Sequence, residues 1–530
     1  MKRSVLLFTL LTAIMTWPQA RAIATEATPH QDVYFNMWRL EWFAHALRTP
    51  SAKVFDANIF YPEPQTLALS DAMPVEGALA APLIWGGVRP VLVHNLLLLG
   101  AIALSGAAMF ALARYLTGSR GAGIIAGIVF AFAPYRFEHI MHMEMQWTMW
   151  MPLAFLALHR TFDTGRWRYG IGTGICIALQ MLSSIYYGIF LASVVAFAAV
   201  LLIARDRTVT FARAALPLAA GAVLALIVCG VYARPYLEAH ARVGDRPAGE
   251  VAEFSARPSS YLAATPANWI YGRFSRSSRP ERRLFPGTIA IVLALTGLLL
   301  VPPSRRTAVY LLVLVAAFEM SLGTSGYSYS FLHDHVPVYR SLRAWARLGV
   351  FVLMFVAVLA AYGYRFLLDG RSRATRLSAL AVVGSALLAE YHVTMSLTPY
   401  PNSAPPVYRM LAQQPRGVVA EFPFPRVDAL PGDDAEYAYM STFHWFPLVN
   451  GYSGIYPPSY LGRLTQVLDF PGEASLRQLR HDGVRYVIVH KTLYPGEILG
   501  KVLDRLAAAD MVQVGRFYDG SGDAILYSIR

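Results

Sequence analysis

The sequence contains few charged residues and few cysteines. Of its 530 residues only 15% are charged and 55% are hydrophobic, which is too apolar for a soluble globular protein of this length. The two cysteines, Cys176 and Cys229, both lie in apolar runs, which argues against a disulfide framework and against a cysteine metal site. The composition therefore predicts a polytopic α-helical membrane protein.

Lysine is also scarce, and the net charge of +13 comes almost wholly from arginine. In a membrane protein such an arginine excess is first a topology signal and only then a hint of anionic ligands. The sequence contains no internal repeat, low-complexity tract or nucleic-acid-binding motif. We therefore expect membrane lipids, and not nucleic acid, among its partners.

Apolar runs long enough to cross a bilayer recur along the chain, and each needs about 20 residues, or about 17 at the shortest. The stretch 168–204 is too long for one span, because a single helix of that length would extend more than about 50 Å. A turn is expected at 183–188, where small hydroxylated residues, two tyrosines and a glycine occur. The sequence thus predicts about eleven transmembrane helices, beginning near residues 4, 91, 120, 145, 168, 187, 214, 286, 307, 346 and 377.

The arginines cluster in alternate connections between these runs, and the positive-inside rule assigns those connections to the cytoplasm. They include 114–120, 160–168, 305–306 and 365–376. The remaining connections then lie outside, among them the long loops 23–90 and 233–285, the turn 135–144 and everything after residue 396. This predicts a multi-pass membrane protein whose outer connections and C-terminal segment lie in a periplasm or an equivalent compartment.

Residues 1–24, "MKRSVLLFTLLTAIMTWPQARAIA", allow two interpretations. The basic end, the short apolar core and the Ala-Ile-Ala ending resemble a cleavable signal peptide, but the run also fits a short first span. Trp17, Pro18 and Arg21 interrupt the small residues that precede a signal peptidase site, which favours retention as a span. Either interpretation places loop 23–90 outside.

The last 134 residues, 397–530, differ from the rest of the chain. "GVVAEFPFP" and "VRYVIVHK" are β-rich, "ILGKVLDRLAAAD" has apolar residues at helical spacing, and two strand-like pieces flank a turn at 519–522. The sequence therefore predicts two domains, a transmembrane domain of residues 1–396 and a small extracytoplasmic α/β domain of residues 397–530.

Asp32 is the first candidate functional residue. Any single carboxylate in loop 23–90 is explained by default as part of a hydrated loop. The segment that begins with Asp32, "DVYFNMWRLEWFAHAL", has an apolar pattern partly compatible with an interfacial amphipathic helix. Such a helix would hold the carboxylate at the level of the lipid headgroups, where a lipid-linked phosphate substrate presents its reactive bond.

A second candidate group lies at 133–147 between two predicted spans and contains Arg136, Glu138, His139 and His142. On a helix, residues three or four apart share a face, so His139 would align with His142, and Glu138 would also align with His142. Metal binding is conceivable but has no recognised ligand spacing to support it, and hydrogen-bonded or interfacial histidines are the favoured interpretation. Proton transfer is another use of such a group.

The third group, Arg340, Arg343 and Arg347, precedes a span on the predicted outer side, so the positive-inside rule does not explain it. Their helical spacing predicts one cationic face suited to phosphate oxygens. Snorkelling to outer headgroups, or pairing with loop acids, explains the same residues equally well. The arginines of loop 233–285 are expected to lie on a mobile segment.

Together these features resemble the GT-C superfamily of integral-membrane glycosyltransferases, which use polyprenyl-phosphate sugars as donors. The similar layout is a first span, a long external loop with an acidic residue, about eleven spans and a C-terminal outer domain. The local stretches "DVYFNMWRLEW", "DANIFYPEP", "FAPYRFEHIMH", "LRAWARLG" and "STFHWFPLVNGYSG" resemble a largely uncharacterised bacterial branch.

The resemblance implies that Asp32 matches the acid that acts as catalytic base or metal ligand in the superfamily. Many of these enzymes carry a paired acid motif, whereas this chain has Gln31 before a single Asp32. We therefore expect no metal and no cofactor. The resemblance further implies that Arg340, Arg343 and Arg347 bind the phosphate of a lipid-linked sugar donor, and that an unknown acceptor is the second substrate. Further substrate-site candidates are Asp56, Tyr61, Arg136, Glu138, His139 and His142.

Two other functions fit a similar topology. A non-catalytic membrane protein of cell-envelope glycan assembly would keep the basic groups but tolerate loss of Asp32. A transporter is less favoured, because acidic residues do not occur deep inside the predicted spans, and Glu319 and Glu390 lie nearer their outer ends.

Overall fold

The structure is a computed structural model that describes residues 2–204, 209–275, 277, 279–518 and 523–529. The chain forms two compact units. Unit 1 contains Met1–Ile23, Asn95–Arg234 and Gly244–Leu397, and unit 2 contains Ala24–His94, Pro235–Val243 and Thr398–Arg530. The predicted boundary between residues 396 and 397 stays a sequence prediction, since unit 2 also includes most of the predicted first loop.

The described residues are mainly helical, with strands confined to unit 2. The helices are α1 (Lys2–Met15), α2 (Gln31–Arg48), α3 (Pro74–Trp85), α4 (Pro90–Thr117), α5 (Arg120–Phe132), α6 (Pro134–Glu138), α7 (Met143–Gln146), α8 (Trp150–Thr164), α9 (Trp167–Ser183), α10 (Ile185–Ala204), α11 (Val209–Val243), α12 (Ala248–Glu253), α13 (Thr288–Leu299), α14 (Arg305–Ser321), α15 (Ser328–His335), α16 (Gly349–Leu368), α17 (Arg373–Glu390), α18 (Pro406–Ala412), α19 (Asp434–Met440), α20 (Pro458–Gln466), α21 (Glu473–His481) and α22 (Gly496–Ala508). The strands are β1 (Glu26–Ala27), β2 (Thr398–Pro399), β3 (Val418–Phe422), β4 (Val484–His490), β5 (Met511–Tyr518) and β6 (Asp523–Ile529).

Short 3₁₀ turns connect many of these elements. They are Thr66–Leu69, Pro258–Leu262, Gly272–Phe274, Pro280–Arg282, Gly323–Ser325, Pro337–Ser341, Trp345–Leu348, Val427–Ala429, Ser441–Phe443 and Lys491–Leu493.

A helix occupies each apolar run from which a span was predicted. These helices are α1, α4, α5, α8, α9, α10, α11, α13, α14, α16 and α17. The run predicted to begin near residue 145 becomes helical only at Trp150, after the short α7. The predicted turn between the fifth and sixth runs is confirmed, because α9 ends at Ser183 and α10 begins at Ile185.

Length and composition qualify fewer helices as spans than the sequence predicts. Within the described ranges, four helical segments are long and apolar enough to cross a bilayer, which supports a membrane protein but leaves the count of eleven a prediction. They are Pro90–Thr117, Ile185–Ile203, Arg213–Val243 and Trp345–Leu368.

Small residues let helices of unit 1 pack closely. A Cβ added at Gly297 of α13 would lie 2.2 Å from the Leu359 carbonyl oxygen of α16, and one added at Gly363 would lie 2.0 Å from the Leu293 carbonyl oxygen. Glycine at both positions therefore brings the two backbones together, as is common between membrane helices. In α1, Phe8 is buried between Gly106 and Gly127.

The sheet of unit 2 has four strands in the order β3-β4-β6-β5. β3 and β4 are parallel, and the other neighbouring pairs are antiparallel. The two β-rich runs, the amphipathic helix (α22) and the two final strands are thus confirmed, while the predicted turn at 519–522 lies outside the described residues. Strong alternation and apolar runs carried this part of the prediction.

The predicted first loop pairs with the C-terminal segment inside unit 2. The Phe60 amide donates to the Asn450 carbonyl oxygen at 2.9 Å, and the Leu448 amide donates to the Asn58 carbonyl oxygen at 2.7 Å. The Asn58 side-chain amide also donates to the Ser441 hydroxyl at 2.9 Å. These contacts order the loop that carries Asp32 in the same unit as the sheet.

Candidate functional site

Asp32 lies in the first turn of α2, where the positive end of the helix dipole favours a carboxylate. The Tyr452 hydroxyl donates to its Oδ1 at 2.6 Å. Nδ1 of His30 lies 3.1 Å from the Asp32 backbone nitrogen and 3.1 Å from its Oδ2. As an acceptor this nitrogen caps the helix, and when protonated it forms an ion pair with the carboxylate.

A cavity of about 490 Å³ in unit 2 is lined by His30 and Tyr452, the two residues that contact the Asp32 carboxylate, although Asp32 itself is not part of the lining. Tyr34 and Tyr400, whose ring centroids lie 4.6 Å apart, form another part of the lining. The Asp32 side chain is 16% exposed, so water and a small polar ligand can reach it. The volume of the cavity and its aromatic lining are typical of small-molecule binding sites.

The predicted amphipathic character of the segment around Asp32 is wrong. The segment is helical, as expected, but α2 is buried on nearly all sides, including the polar Asn36 and Arg39. Arg39 donates to the Asp71 carbonyl oxygen at 2.7 Å, and the Trp42 indole donates to the Val54 carbonyl oxygen at 2.8 Å. α2 is thus a core helix of unit 2, because its polar residues find partners within the protein.

Asp56 and Tyr61 have structural contacts in unit 2. Oδ1 of Asp56 accepts a hydrogen bond from the Gln65 amide at 2.9 Å, which closes the turn between them. Tyr61 packs against the hydrophobic core around the four-stranded sheet. Neither residue lines the cavity beside Asp32, so the structure gives no support for their proposed place at a substrate site.

The arginines Arg340, Arg343 and Arg347 do not form one helical face, which corrects the sequence prediction. Two separate 3₁₀ turns, Pro337–Ser341 and Trp345–Leu348, replace the expected helix and aim the side chains at different partners. Arg340 donates to the carbonyl oxygens of His333 and Asp334, both at 3.0 Å, and so caps the end of α15.

Arg347 pairs with Glu281 in the interior of unit 1. Its Nη2 donates to Oε1 of Glu281 at 3.1 Å, and Nε2 of His139 lies 3.6 Å from Oε2. Burial disfavours the charge of Glu281, but the Arg347 guanidinium lowers its pKa to about 2, so this carboxyl is ionised. Burial lowers the pKa of His139 to about 3, so His139 is neutral.

Arg343 shares its carboxylate with a second arginine. Nη1 of Arg343 donates to Oε1 of Glu250 at 2.9 Å, and Nη1 of Arg246 donates to the same oxygen at 3.2 Å. The Arg343 guanidinium also lies 4.8 Å from the Phe254 ring centroid. The Arg343 side chain is 27% exposed and that of Arg347 only 11%, which makes Arg343 the more accessible of the two to a phosphate.

In the second candidate group, His139 and His142 lie close together but not on a helix. α6 ends at Glu138, so His139 and His142 lie in a turn, with their ring centroids 5.6 Å apart. Glu138 accepts from Arg283 at 2.7 Å. Burial raises the pKa of Glu138, whose carboxyl is therefore a proton-transfer candidate.

Arg136 is a structural residue. Its guanidinium donates to the carbonyl oxygens of Met145 and Gln146 at 3.1 and 3.0 Å and to the Thr148 hydroxyl at 3.0 Å. These bonds hold the buried turn between α6 and α8 in place, because a buried guanidinium needs acceptors wherever it lies. Its assignment to a substrate site is not supported by these contacts.

Loop 233–285 supplies the partners that sequence reasoning missed. Arg246, Glu250, Glu281 and Arg283 all come from this loop, which was expected to be mobile. Its residues Ser255, Ala256 and Ser260 are buried, and Arg282 donates to the Ser255 carbonyl oxygen at 2.9 Å. The signal that could have found them is the presence of four glutamates in a loop otherwise rich in arginine.

Metal ligation has no candidate among the described residues, since no three His, Cys, Asp or Glu side chains lie close enough to hold an ion. The structure thus offers carboxylates, tyrosines and guanidinium groups as its chemistry. Asp32 can accept a proton, and Arg343 with Arg246 can bind an anion.

Comparisons with known proteins identify the fold. No protein-family model matches the chain, and no curated protein matches it in sequence. The solved structure of arabinofuranosyltransferase AftD from Mycobacteria matches all of this chain with a TM-score of 0.62 at 16% identity. The chain shares the fold of this structure.

The chain spans 41% of the length of AftD. The match to the oligosaccharyltransferase of Archaeoglobus fulgidus covers 98% of this chain and 73% of the oligosaccharyltransferase chain, with a TM-score of 0.47 and 15% identity. The match to ArnT from Cupriavidus metallidurans, solved with undecaprenyl phosphate bound, covers 99% of this chain and 97% of the ArnT chain, with a TM-score of 0.47 and 12% identity. At these identities the likeness concerns the fold alone.

Proposed function

We propose that this protein is a membrane glycosyltransferase that moves a sugar from a polyprenyl-phosphate donor to an extracytoplasmic acceptor. The acceptor is a glycan, a lipid or a protein. The fold shared with AftD supports this proposal, and so does the sequence resemblance carried by the segment that begins with Asp32. The observation that carries it is the Asp32 carboxylate, held by the Tyr452 hydroxyl beside a cavity of about 490 Å³.

The reaction is a direct displacement at the anomeric carbon. Asp32 accepts the proton of the acceptor hydroxyl while the acceptor oxygen bonds to that carbon. The bond from the carbon to the phosphate oxygen breaks, and polyprenyl phosphate leaves with the electron pair. The step balances without a metal or other cofactor, and the hydrogen bond from Tyr452 fixes the direction in which the Asp32 carboxylate points.

Donor phosphate binding is assigned to unit 1. Arg343 is 27% exposed, and its planar guanidinium suits phosphate oxygens; Arg246 lies beside it on the same Glu250 carboxylate. Arg347 remains assigned to the phosphate site. Its role there is only a supporting one, because Glu281 already balances its charge. Arg340 is left out of the site, because both of its bonds are to carbonyl oxygens at the end of α15.

The proposal includes an orientation. About eleven helices cross a bacterial inner membrane, four of them long and apolar enough to do so on their own, as counted over the described ranges. The segment 397–530 then lies outside, with the arginine-rich connections in the cytoplasm.

The test begins by finding the glycan or glycolipid that disappears from cells lacking this protein, which identifies the substrates for an assay in purified form. In that assay Asp32→Asn should lower the rate of transfer by about 10²-fold or more, because loss of a general base has this size of effect. Arg343→Gln should raise the donor concentration needed for half-maximal transfer.

Asp504→Asn is the matched control, since Asp504 is an exposed aspartate of unit 2 on α22. It should leave transfer unchanged. Full transfer by a folded Asp32→Asn variant would refute the catalytic role and favour a non-catalytic part in glycan assembly.

A further inference from the structure

A second, larger cavity of about 730 Å³ lies in unit 1 at the ends of five helices. It is formed by the start of α1, the end of α4, the start of α5, the end of α16 and the start of α17. None of its lining residues belongs to the arginine–glutamate pairs described above. By the arginine bias these helix ends face the cytoplasm.

The lining is strongly basic. It contains five arginines and one aspartate, a net formal charge of +4, namely Arg3, Arg120, Arg365, Arg373, Arg376 and Asp369. Arg365 donates to the Thr117 carbonyl oxygen at the end of α4. The side chains of the other four arginines make no hydrogen bond or ion pair with any residue that the structure describes. Their charge is therefore available to an anion.

The positive-inside rule alone would explain exposed arginines at these helix ends, so a further observation is needed. Tyr364 lines the cavity and is only 3% exposed, yet its hydroxyl has no hydrogen-bond partner among the described residues. A buried hydroxyl without a hydrogen-bond partner destabilises the folded protein. A ligand oxygen in the cavity would satisfy it.

Two helix N-termini add to the same attraction. α5 begins at Arg120 and α17 begins at Arg373, and both residues line the cavity. Amide groups at a helix start and the helix dipole both favour anions, above all phosphate. The two helix dipoles therefore attract an anion, as the guanidinium charges do.

Part of the wall is apolar. It includes Leu7, Phe110, Ile124, Leu377 and Leu380. A free phosphate ion has no use for such a surface, whereas the upper part of an acyl chain would bury it. Basic pockets between membrane helices on the cytoplasmic side are typical sites for anionic lipid headgroups.

We propose that this cavity binds the phosphate headgroup of an anionic phospholipid, with the acyl chains against its apolar wall. The arginines hold the phosphate oxygens, and the Tyr364 hydroxyl donates to one of them. The site is separate from sugar transfer and does not depend on the proposed enzymatic function.

The experiment measures lipid retained by the full-length protein in native mass spectrometry. Detergent-purified protein is incubated with phosphatidylglycerol, with phosphatidylcholine or with inorganic phosphate. The wild type should retain phosphatidylglycerol in preference to phosphatidylcholine and should not retain inorganic phosphate. Equal retention of the two lipids, or retention of inorganic phosphate instead of lipid, would overturn the proposal.

Three variants locate the site. The double variant Arg120→Gln with Arg376→Gln should lower the preference by about fivefold for each arginine removed. Tyr364→Phe deletes one oxygen and should lower the preference a few-fold while the melting midpoint stays the same or rises. The control Arg166→Gln changes an arginine in another connection of the same predicted side, outside the cavity.

Each variant can contradict the proposal. An equal loss of preference in Arg166→Gln would mean that general surface charge, not the cavity, retains the lipid. An unchanged preference in Tyr364→Phe would separate the lipid from the buried hydroxyl and reject this site. Because Tyr364→Phe preserves the ring that packs beside Gly121, it remains informative even when the arginine variant is unfolded.

Discussion

The two units satisfy their buried carboxylates in opposite ways. In unit 1, Glu281 pairs with Arg347 and is held ionised with a pKa of about 2. In unit 2, Asp434 accepts from the Tyr460 hydroxyl and from Asn450, and burial raises its pKa to about 8. A guanidinium compensates a buried charge, whereas a neutral hydroxyl does not do so fully.

The same pattern extends beyond these two residues. In unit 2 the Tyr408 hydroxyl donates to Glu421 at 2.6 Å, and the Tyr34 hydroxyl is hydrogen-bonded to Glu436, whose pKa burial raises to about 7. In unit 1, Arg283 donates to Glu138, although burial still raises the pKa of that carboxyl. Asp434 and Glu436 of unit 2 therefore titrate near neutral pH, whereas Glu281 of unit 1 stays ionised beside Arg347.

The largest expected effect comes from breaking an ion pair of unit 1. Glu281→Ala leaves the Arg347 charge buried without its carboxylate and should destabilise the protein by about 3 to 5 kcal/mol. The measurement is the denaturant or thermal midpoint of the purified protein. Glu253→Ala is the control, because Glu253 pairs with Arg279 at 3.2 Å while about half exposed, where loss of the pair costs at most about 1 kcal/mol. Equal losses in both variants would contradict the assignment of Glu281 to the interior.

The second prediction concerns the dependence of stability on pH, which has opposite directions for Asp434 in unit 2 and Glu281 in unit 1. The pKa of Asp434 is raised from 3.8 to about 8, so between these values the folded state binds a proton that the unfolded state has lost. Stability of unit 2 should therefore fall as pH rises through this window, by at most about 1.4 kcal/mol per pH unit for this group. For Glu281 the sign is opposite, because its pKa is lowered in the folded protein. The stabilisation that it contributes to unit 1 is complete above about pH 4.5 and is lost as the pH falls toward about 2.

Hydrogen exchange, corrected for the intrinsic rate, reads the two units separately between about pH 5 and 8. Protection of β3 and β4 should decrease toward the higher pH, and Asp434→Asn should flatten that decrease because an amide does not titrate. Asp428→Asn is the control, since Asp428 is exposed and pairs with Arg426 at 3.0 Å. An unchanged pH dependence in Asp434→Asn would mean that Asp434 is ionised in the folded protein.

The smallest expected effect comes from removing one hydroxyl beside Asp32. Tyr452→Phe deletes the 2.6 Å hydrogen bond to the carboxylate and should lower the transfer rate about tenfold, which corresponds to about 1.4 kcal/mol. Tyr494→Phe is the control, because Tyr494 packs against the core of the same unit. Equal rates in Tyr452→Phe and in the wild type would show that this bond does not orient the base.

Much of the secondary structure could be predicted because its signals are local. Apolar runs predicted α4, α10 and α16, and a β-rich run predicted β4, since such signals depend only on neighbouring residues. The spacing of Arg340, Arg343 and Arg347 also predicted a helix, but 3₁₀ turns formed there because each arginine has a different partner. The amphipathic reading of α2 failed for a similar reason, since buried partners satisfy its polar side.

The sequence by itself determined that this is an apolar helical protein with a small C-terminal sheet, and it singled out Asp32. Only the tertiary structure decided which polar groups meet. Tyr452 is 420 residues from Asp32, Arg283 is 145 from Glu138, and Arg347 is 66 from Glu281. Pairing over such separations depends on how helices and loops pack, and no local pattern of residues encodes it.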